Sequence, residues 1–244
     1  MSTRHVFVAD LHLRRGECAK RDAFIDMVEG LSGSDVHLHI LGDLFDLWLG
    51  STQLRAEPEW EPMLDAMGRL VAAGGRLAFY HGNRDFCMGD YLTRTLGAET
   101  VRRAKTLDVD GQRLYLTHGD LLCTGDQLYH LARRVSRWPV VTALWWCLPM
   151  RWKYGCSGVY RNVSHRQDAS RRPSRHGISP RKLRELSSRG VDVVVCGHIH
   201  QQSDRVHRYG ERRLRVITLP VWRERGAVLE YADGVFRMDT VDFA

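Results

Sequence analysis

The sequence predicts an α/β fold in which two β-sheets pack together and helices cover the outside. Short apolar runs alternate with amphipathic stretches through most of the chain, and this alternation is typical of α/β proteins. Near the end, three strand-like runs follow one another without a helix between them, which favours a second sheet: 214–219, 227–231 and 235–238.

The first half of the chain supplies three predicted strands and three predicted helices. The strands cover 5–9, 36–41 and 76–80, which are short apolar runs with turn residues after them. The helices cover 22–31, 60–73 and 91–96. The first has apolar residues at helical spacing, and the second is stopped by Gly74 and Gly75.

The second half begins with a predicted hairpin. Runs at 107–109 and 113–117 flank Asp110-Gly111, a strong hairpin signal. Residues 121–148 predict a helix that is broken near Pro139 and Pro149, because proline interrupts the helical hydrogen bonds. A polar, arginine-rich turn at 162–175, a helix at 180–189 and a strand at 191–195 follow.

Cysteine use and the N-terminus predict a cytosolic protein. The 244 residues include six scattered cysteines with no Cys-x-x-Cys pair, which suits a reducing compartment. The start of the chain lacks the apolar core of a signal peptide. No apolar run approaches the roughly 20 residues that a membrane-spanning helix needs.

The positive charge of the chain is concentrated in one segment. Residues 120–185 contain 13 Lys and Arg against 4 Asp and Glu, a net of +9, whereas the whole chain carries +7. The same segment holds four of the seven tryptophans. These features indicate a surface for an anionic, partly apolar partner. The alternatives are a solvated arginine-rich helical hairpin and ordinary core packing of its aromatic residues.

Polar side chains follow five predicted strands at the point where each strand ends. They are Asp10 and His12, Asp43, Asn83, His118, and His198 and His200. The carboxyl ends of strands form the ligand crevice of an α/β sheet, and neighbouring glycines let the backbone come close to an ion. Singly, each motif is weak evidence for a metal site, because Asp-x-His also occurs in capped turns, Gly-Asp is common in loops, and a lone His-Gly is more often structural than a ligand.

Jointly, the five motifs favour a dinuclear metal site. Two carboxylates, four imidazoles and one amide oxygen suit two divalent ions that share a bridging carboxylate. The mixture of oxygen and imidazole ligands favours manganese, iron or zinc over a thiolate site.

This ordered set resembles the calcineurin-like metallophosphoesterase superfamily. The resemblance covers the whole chain and implies a β-sandwich of two sheets flanked by helices. One metal ion would be held by Asp10, His12, Asp43 and His200. The other would be held by Asp43, Asn83, His118 and His198, with Asp43 as the bridge.

Longer strings resemble one branch of the superfamily, the UDP-2,3-diacylglucosamine diphosphatases of lipid A synthesis. These strings surround Asp10, Asp43, Asn83 and His118, the last within the stretch 118–124. The resemblance implies hydrolysis of a UDP-linked diacyl amino sugar to UMP and the acylated sugar 1-phosphate, with two manganese ions. It assigns catalytic roles to Asn83, Arg84 and His118.

Arg84 departs from the general superfamily pattern, in which a histidine often follows the Gly-Asn pair. A planar guanidinium is suited to a diphosphate oxygen. The alternative is a salt bridge to Asp85 or Asp46.

The resemblance also implies a helical lid that caps acyl chains. It divides the chain into a core, 1–119 and 186–244, and an insertion, 120–185. Implied substrate-binding residues are Asn83, Arg84, Asp126, Tyr129, Ser164, Arg171 and His198. The chain departs from this family at Asp168, at Ser51-Thr52 and at Gln201, where the family commonly has an amide, an acidic pair and an arginine.

The sequence therefore predicts a peripheral enzyme on the cytoplasmic face of the inner membrane. An alternative is a metallophosphoesterase for another nucleotide diphosphate or phosphodiester, including nucleic acid, which the basic segment would suit electrostatically. No aromatic-basic interleaving supports a nucleic-acid module. A non-catalytic scaffold is the third alternative, against which all seven ligand positions keep competent side chains.

Overall fold

The structure, a computed structural model, describes residues 3–31, 35–85, 87–123, 127–155 and 177–243. The described residues form two β-sheets that pack face to face, with helices against both outer faces. The predicted α/β sandwich flanked by helices is confirmed. Among the described residues, none of the helices combines the length and apolarity needed to cross a membrane.

The first sheet has six strands. Their spatial order is β11 (Val235–Asp242), β10 (Arg225–Ala232), β1 (Arg4–Val8), β2 (Val36–Ile40), β3 (Arg76–Tyr80) and β4 (Glu99–Val101). The four strands from β1 to β4 are parallel, so their carboxyl ends lie at one edge of the sheet. This edge receives the loops that carry Asp10, Asp43 and Asn83.

The second sheet has five strands. Their spatial order is β5 (Ala104–Val109), β6 (Gln112–Thr117), β7 (Val193–Cys196), β9 (Arg212–Thr218) and β8 (Ser203–Tyr209). Strands β6 and β7 are parallel, which brings the residues after Thr117 and Cys196 side by side. The backbone nitrogen of Gly197 donates to the carbonyl of His118 at 2.9 Å.

The helices of the described residues surround the two sheets. They are α1 (Cys18–Glu29), α2 (Gln53–Ala56), α3 (Glu61–Ala72), α4 (Gly89–Leu96), α5 (Gln127–Ser136), α6 (Pro139–Cys147), α7 (150–155) and α8 (Pro180–Ser188). Helices α1 and α3 pack on the first sheet, and α8 packs on the second. A third apolar cluster, which includes Phe7, Leu41 and Val195, lies between the sheets.

The starts of two predicted helices need correction, and strands β4 and β8 were not predicted. Helix α1 begins at Cys18, four residues before the predicted start. Residues 121–123 form a turn, so the helix predicted at 121–148 does not begin at Leu121. The predicted break near Pro139 is confirmed, since α5 ends at Ser136 and Pro139 opens α6 at a position where proline is tolerated. Strand β8 was not predicted because its sequence, SDRVHRY, is mostly polar and exposed at a sheet edge.

Part of the predicted insertion lies outside the described residues. This applies to the predicted turn at 162–175 and to Asp126, Ser164, Asp168 and Arg171. Tyr129 lies in α5, but its side chain is not described. The division into core and insertion stays a prediction; the described part of 120–185 is largely helical, as expected for a lid.

Candidate metal centre

The seven predicted ligands meet where the strands of both sheets end. One group gathers around the carboxylate of Asp10. Its Oδ1 lies 3.6 Å from His200 Nε2 and 3.8 Å from His12 Nε2, and the two imidazole nitrogens are 3.2 Å apart. These three side chains could hold one metal ion.

A second group gathers around His118 Nε2. Asn83 Oδ1 lies 2.8 Å from this nitrogen and His198 Nδ1 lies 3.3 Å from it. The other nitrogen of the same ring, Nδ1, is 2.9 Å from the carbonyl of Leu41. Donation from Nδ1 to this carbonyl leaves the Nε2 lone pair facing the group, the tautomer that a metal ligand needs.

Asp43 connects the two groups. Its Oδ2 lies 3.8 Å from His12 Nε2 and 3.7 Å from His118 Nε2. One carboxylate oxygen thus faces the nitrogen donors of both groups, which is the position that a bridging ligand between two metal ions requires.

Backbone amides hold both carboxylates in place. The N–H of His198 donates to Asp10 Oδ2 at 2.6 Å, and the N–H of Arg84 donates to Asp43 Oδ1 at 3.0 Å. In each carboxylate, the second oxygen faces the histidines. A Cβ at Gly197 or Gly82 would collide with these carboxylates, so the glycines permit the close approach.

The backbone at the site is unusual. Seven non-glycine residues of the described chain have positive φ, and five of them are predicted ligands: Asp10 (54°), His12 (48°), Asp43 (54°), His198 (68°) and His200 (61°). The other two, Asp110 and Asp233, belong to Asp-Gly turns. Such conformations cost about 1 kcal/mol or more each, and they persist where a function maintains them.

The electrostatics of the group fit a cation. Asp10 Oδ1 is buried and accepts no hydrogen bond from the described residues. Burial and the nearby Asp10 carboxylate raise the pKa of Asp43 above its ordinary value, although His118 opposes this. The cluster thus concentrates buried negative charge, which divalent cations would neutralise.

Arg84 makes the contact that the sequence left as an alternative. Its side chain is buried, and a guanidinium nitrogen donates to Asp46 Oδ1 at 2.7 Å. Its backbone also positions Asp43, as described above. A direct role of Arg84 toward substrate stays a prediction.

Asp85 is a supporting residue that sequence reasoning missed. It is fully buried, and its carboxylate accepts the backbone N–H groups of Asp43 at 3.2 Å and of Leu44 at 2.7 Å. It therefore shapes the loop that presents the bridging carboxylate. Its place in the string Gly-Asn-Arg-Asp, two residues after Asn83, was the available signal.

The sequence of residues 3–202 matches the family model of the calcineurin-like phosphoesterases. The chain therefore belongs to the calcineurin-like phosphoesterase family and is a metal-dependent hydrolase, which confirms the predicted resemblance.

Two relatives extend over nearly the whole chain. A UDP-2,3-diacylglucosamine hydrolase of Pseudomonas savastanoi pv. phaseolicola is 29% identical over 98% of this chain and 96% of its own length. The protein of the same name in Serratia proteamaculans is 30% identical over 94% of this chain and 96% of its own. The similarity thus includes the predicted insertion as well as the core.

Proposed function

We propose that the protein hydrolyses the diphosphate of UDP-2,3-diacylglucosamine. One water is consumed as the P–O–P bond breaks, and UMP and 2,3-diacylglucosamine 1-phosphate are released. The observation that carries the proposal is the convergence of six further ligand side chains around Asp43, in a chain that matches the named hydrolases nearly end to end.

The proposed ligand sets are those that the two groups define. Asp10, His12 and His200 would hold one divalent ion, and Asn83, His118 and His198 would hold the other. Asp43 would be a ligand of both. When bound, two divalent ions supply a nucleophilic water at neutral pH and neutralise charge on the phosphoryl oxygens. We propose manganese, because carboxylate and amide oxygens accompany the imidazoles.

The insertion contacts the rim of the site. Arg137, which directly follows α5, donates to the carbonyl of Gly82 at 2.6 Å, and Gly82 directly precedes Asn83. Further along, the ring of Trp146 lies against Gly50, and Tyr154 donates to Glu57 at 2.8 Å. The first contact reaches the residue before Asn83, and the other two join the insertion to residues 50 and 57, which follow Asp43 in the chain. They support a lid beside the metal centre.

The insertion also carries most of the exposed apolar surface. Eight of ten large hydrophobic side chains exposed in the described chain lie in it: Leu131, Val135, Trp138, Val140, Leu144, Trp146, Leu148 and Trp152. Apolar side chains within a segment of net charge +9 favour an anionic membrane surface. We therefore propose that the protein binds peripherally to the cytoplasmic face of the inner membrane.

UMP release tests the proposed reaction. Purified protein loaded with manganese should release UMP from UDP-2,3-diacylglucosamine, and much more slowly from UDP-N-acetylglucosamine, which lacks the two long acyl chains. Cleavage of a chromogenic phosphodiester without UMP release from the diacyl substrate would contradict the proposal. It would favour another phosphoesterase activity of the same metal centre.

Vesicle sedimentation tests the proposed membrane contact. Leu144→Glu and Trp138→Glu should each reduce binding to anionic vesicles several-fold, because both side chains are more than 60% exposed within the apolar patch. Val206→Glu is the matched control, since Val206 is 57% exposed on β8. Equal binding by all three variants and the wild type would contradict the proposal.

A further inference from the structure

Three histidines form a second cluster that is separate from the metal centre. His5 lies on β1, and His37 and His39 lie on β2. His5 and His37 are register partners in the parallel pair, five and six residues before Asp10 and Asp43. The three side chains are 5%, 6% and 0% exposed. They lie on the same face of the sheet as Phe7 and Leu41, which pack between the two sheets.

The ring nitrogens of this trio approach each other as closely as those of the metal centre. His5 Nδ1 and His39 Nε2 are 3.0 Å apart, and one nitrogen of each of the three rings lies within 4.8 Å of the others. At the metal centre, the corresponding nitrogen pairs are 3.2 and 3.3 Å apart. A tetrahedral zinc site with Zn–N bonds of about 2.0–2.1 Å would space its nitrogens by about 3.4 Å.

The ring positions give the same comparison. His5 lies 5.3 Å from His39 and 5.5 Å from His37, measured between ring centroids. The pairs His12–His200 and His118–His198 are separated by 5.1 and 5.0 Å. The rings of His37 and His39, alternate residues of one strand, are closer, with centroids 3.9 Å apart. A rotation of the His37 side chain would increase the distance between these two rings toward that of the other pairs.

The remaining nitrogen of His39 has a partner of the kind seen in ligating histidines. The hydroxyl of Tyr80, on the adjacent strand β3, lies 3.4 Å from His39 Nδ1. Donation from Nδ1 to this hydroxyl would leave the Nε2 lone pair facing His5. The arrangement parallels His118, whose Nδ1 faces the Leu41 carbonyl.

The surroundings keep the imidazoles neutral. Burial, and to a smaller extent the neighbouring His5, lowers the pKa of His37 to about 3. Burial is also the main reason that the pKa of His5 and that of His39 are lowered. At neutral pH each ring therefore offers a lone pair. Arg76 and Lys105 add positive charge nearby, but Lys105 is paired with Glu99 and Asp110 contributes a negative charge near His5.

We propose that His5, His37 and His39 bind one divalent transition-metal ion, of which zinc is the ion best suited to three imidazole ligands in a low-coordinate site. The ion would connect β1 to β2 within the sheet. It would be structural, because the trio lies inside the sandwich and not at the edge where the strand-end ligands meet.

Metal counting after zinc loading tests the proposal. Bound metal is removed from the protein with a chelator, and the protein is then loaded with excess zinc and desalted. Its zinc content is measured by inductively coupled plasma mass spectrometry. His37→Phe and His5→Phe should each retain one zinc ion fewer per chain than the wild type. His207→Phe is the control, since His207 lies on β8 outside both clusters, and it should retain the wild-type number.

The zinc contents can be compared only if the variants are folded. Circular dichroism and thermal unfolding measure whether they are. If a phenylalanine variant is unfolded, the number of zinc ions retained per chain is measured instead on His37→Gln and His5→Gln, and this result decides whether the trio binds zinc. Zinc should also raise the melting temperature of the wild type more than that of the variants. Equal zinc content in the wild type and in folded variants of both histidines would overturn the proposal. This readout is independent of any substrate.

Discussion

The two histidine clusters use the same pair of strands in different ways. The trio His5, His37 and His39 lies within β1 and β2, where strand alternation alone directs the side chains to one face. The metal centre lies beyond the ends of those strands, where loops from both sheets meet. Only the metal centre contains carboxylates, and only there do the histidines have positive φ.

This difference shows what a strand end provides that a strand interior does not. A loop can aim a backbone N–H at a carboxylate, as His198 does for Asp10 and Arg84 does for Asp43. Within a strand, the N–H groups are committed to the ladder. Buried negative charge is therefore placed at the edge, whereas neutral imidazoles can be accommodated inside the sheet.

Removing the negative charge of Asp43 should produce the largest difference between a change in the metal centre and a change in the trio. Asp43→Asn should lower kcat/KM for UMP release by about a thousandfold, because both metal ligand groups share this carboxylate. His37→Phe should stay within twofold of the wild type in the same assay with manganese. An Asp43→Asn variant that keeps a tenth of the activity would contradict the bridging role.

Crowding one carboxylate should have an intermediate effect. A Cβ at Gly197 would collide with the carboxylate of Asp10, so Gly197→Ala should weaken manganese affinity by roughly ten- to a hundredfold, as outer-shell changes do. Isothermal titration with manganese measures this. Gly177→Ala is the control, because nothing lies within 4 Å of a Cβ there. Equal affinities for the two variants would show that the close approach is unimportant.

The pH dependence of stability should give the smallest effect. In the metal-free protein, burial lowers the pKa of His37 from 6.5 to about 3, so the folded state binds fewer protons than the unfolded chain below pH 6.5. The stability present above pH 6.5 is therefore lost as the pH falls toward 3.

Between pH 7 and 5.5, His37→Phe should lose about 1 kcal/mol less unfolding free energy than the wild type. Urea unfolding in the presence of a chelator measures this difference. A wild type and variant with the same pH dependence would show that His37 titrates normally in the folded protein.

The sequence predicted the edge of the sheet better than its interior. Each strand-end motif combines a short apolar run, a glycine and a polar side chain, and this pattern alone is enough to place Asp43 and His118 at one site. The backbone donors could not be predicted, because the contact of the His198 amide with Asp10 joins residues 188 positions apart.

The trio was missed for a related reason. His37 and His39 sit in an apolar strand, and alternation places them on one face, but nothing in the sequence shows that His5 is the register partner of His37. Strand β8 was missed because its edge position removes the apolar pattern. In both cases, the decisive information is the pairing of strands that are distant in the chain.

Electron paramagnetic resonance of the manganese-loaded protein tests the central claim most directly. Two ions that share Asp43 would lie about 3.5–4 Å apart and couple magnetically. The wild type should therefore show a coupled dinuclear signal at two ions per chain, and Asp43→Asn should show only isolated-ion signals. A wild-type spectrum of isolated ions at full loading would contradict the shared carboxylate.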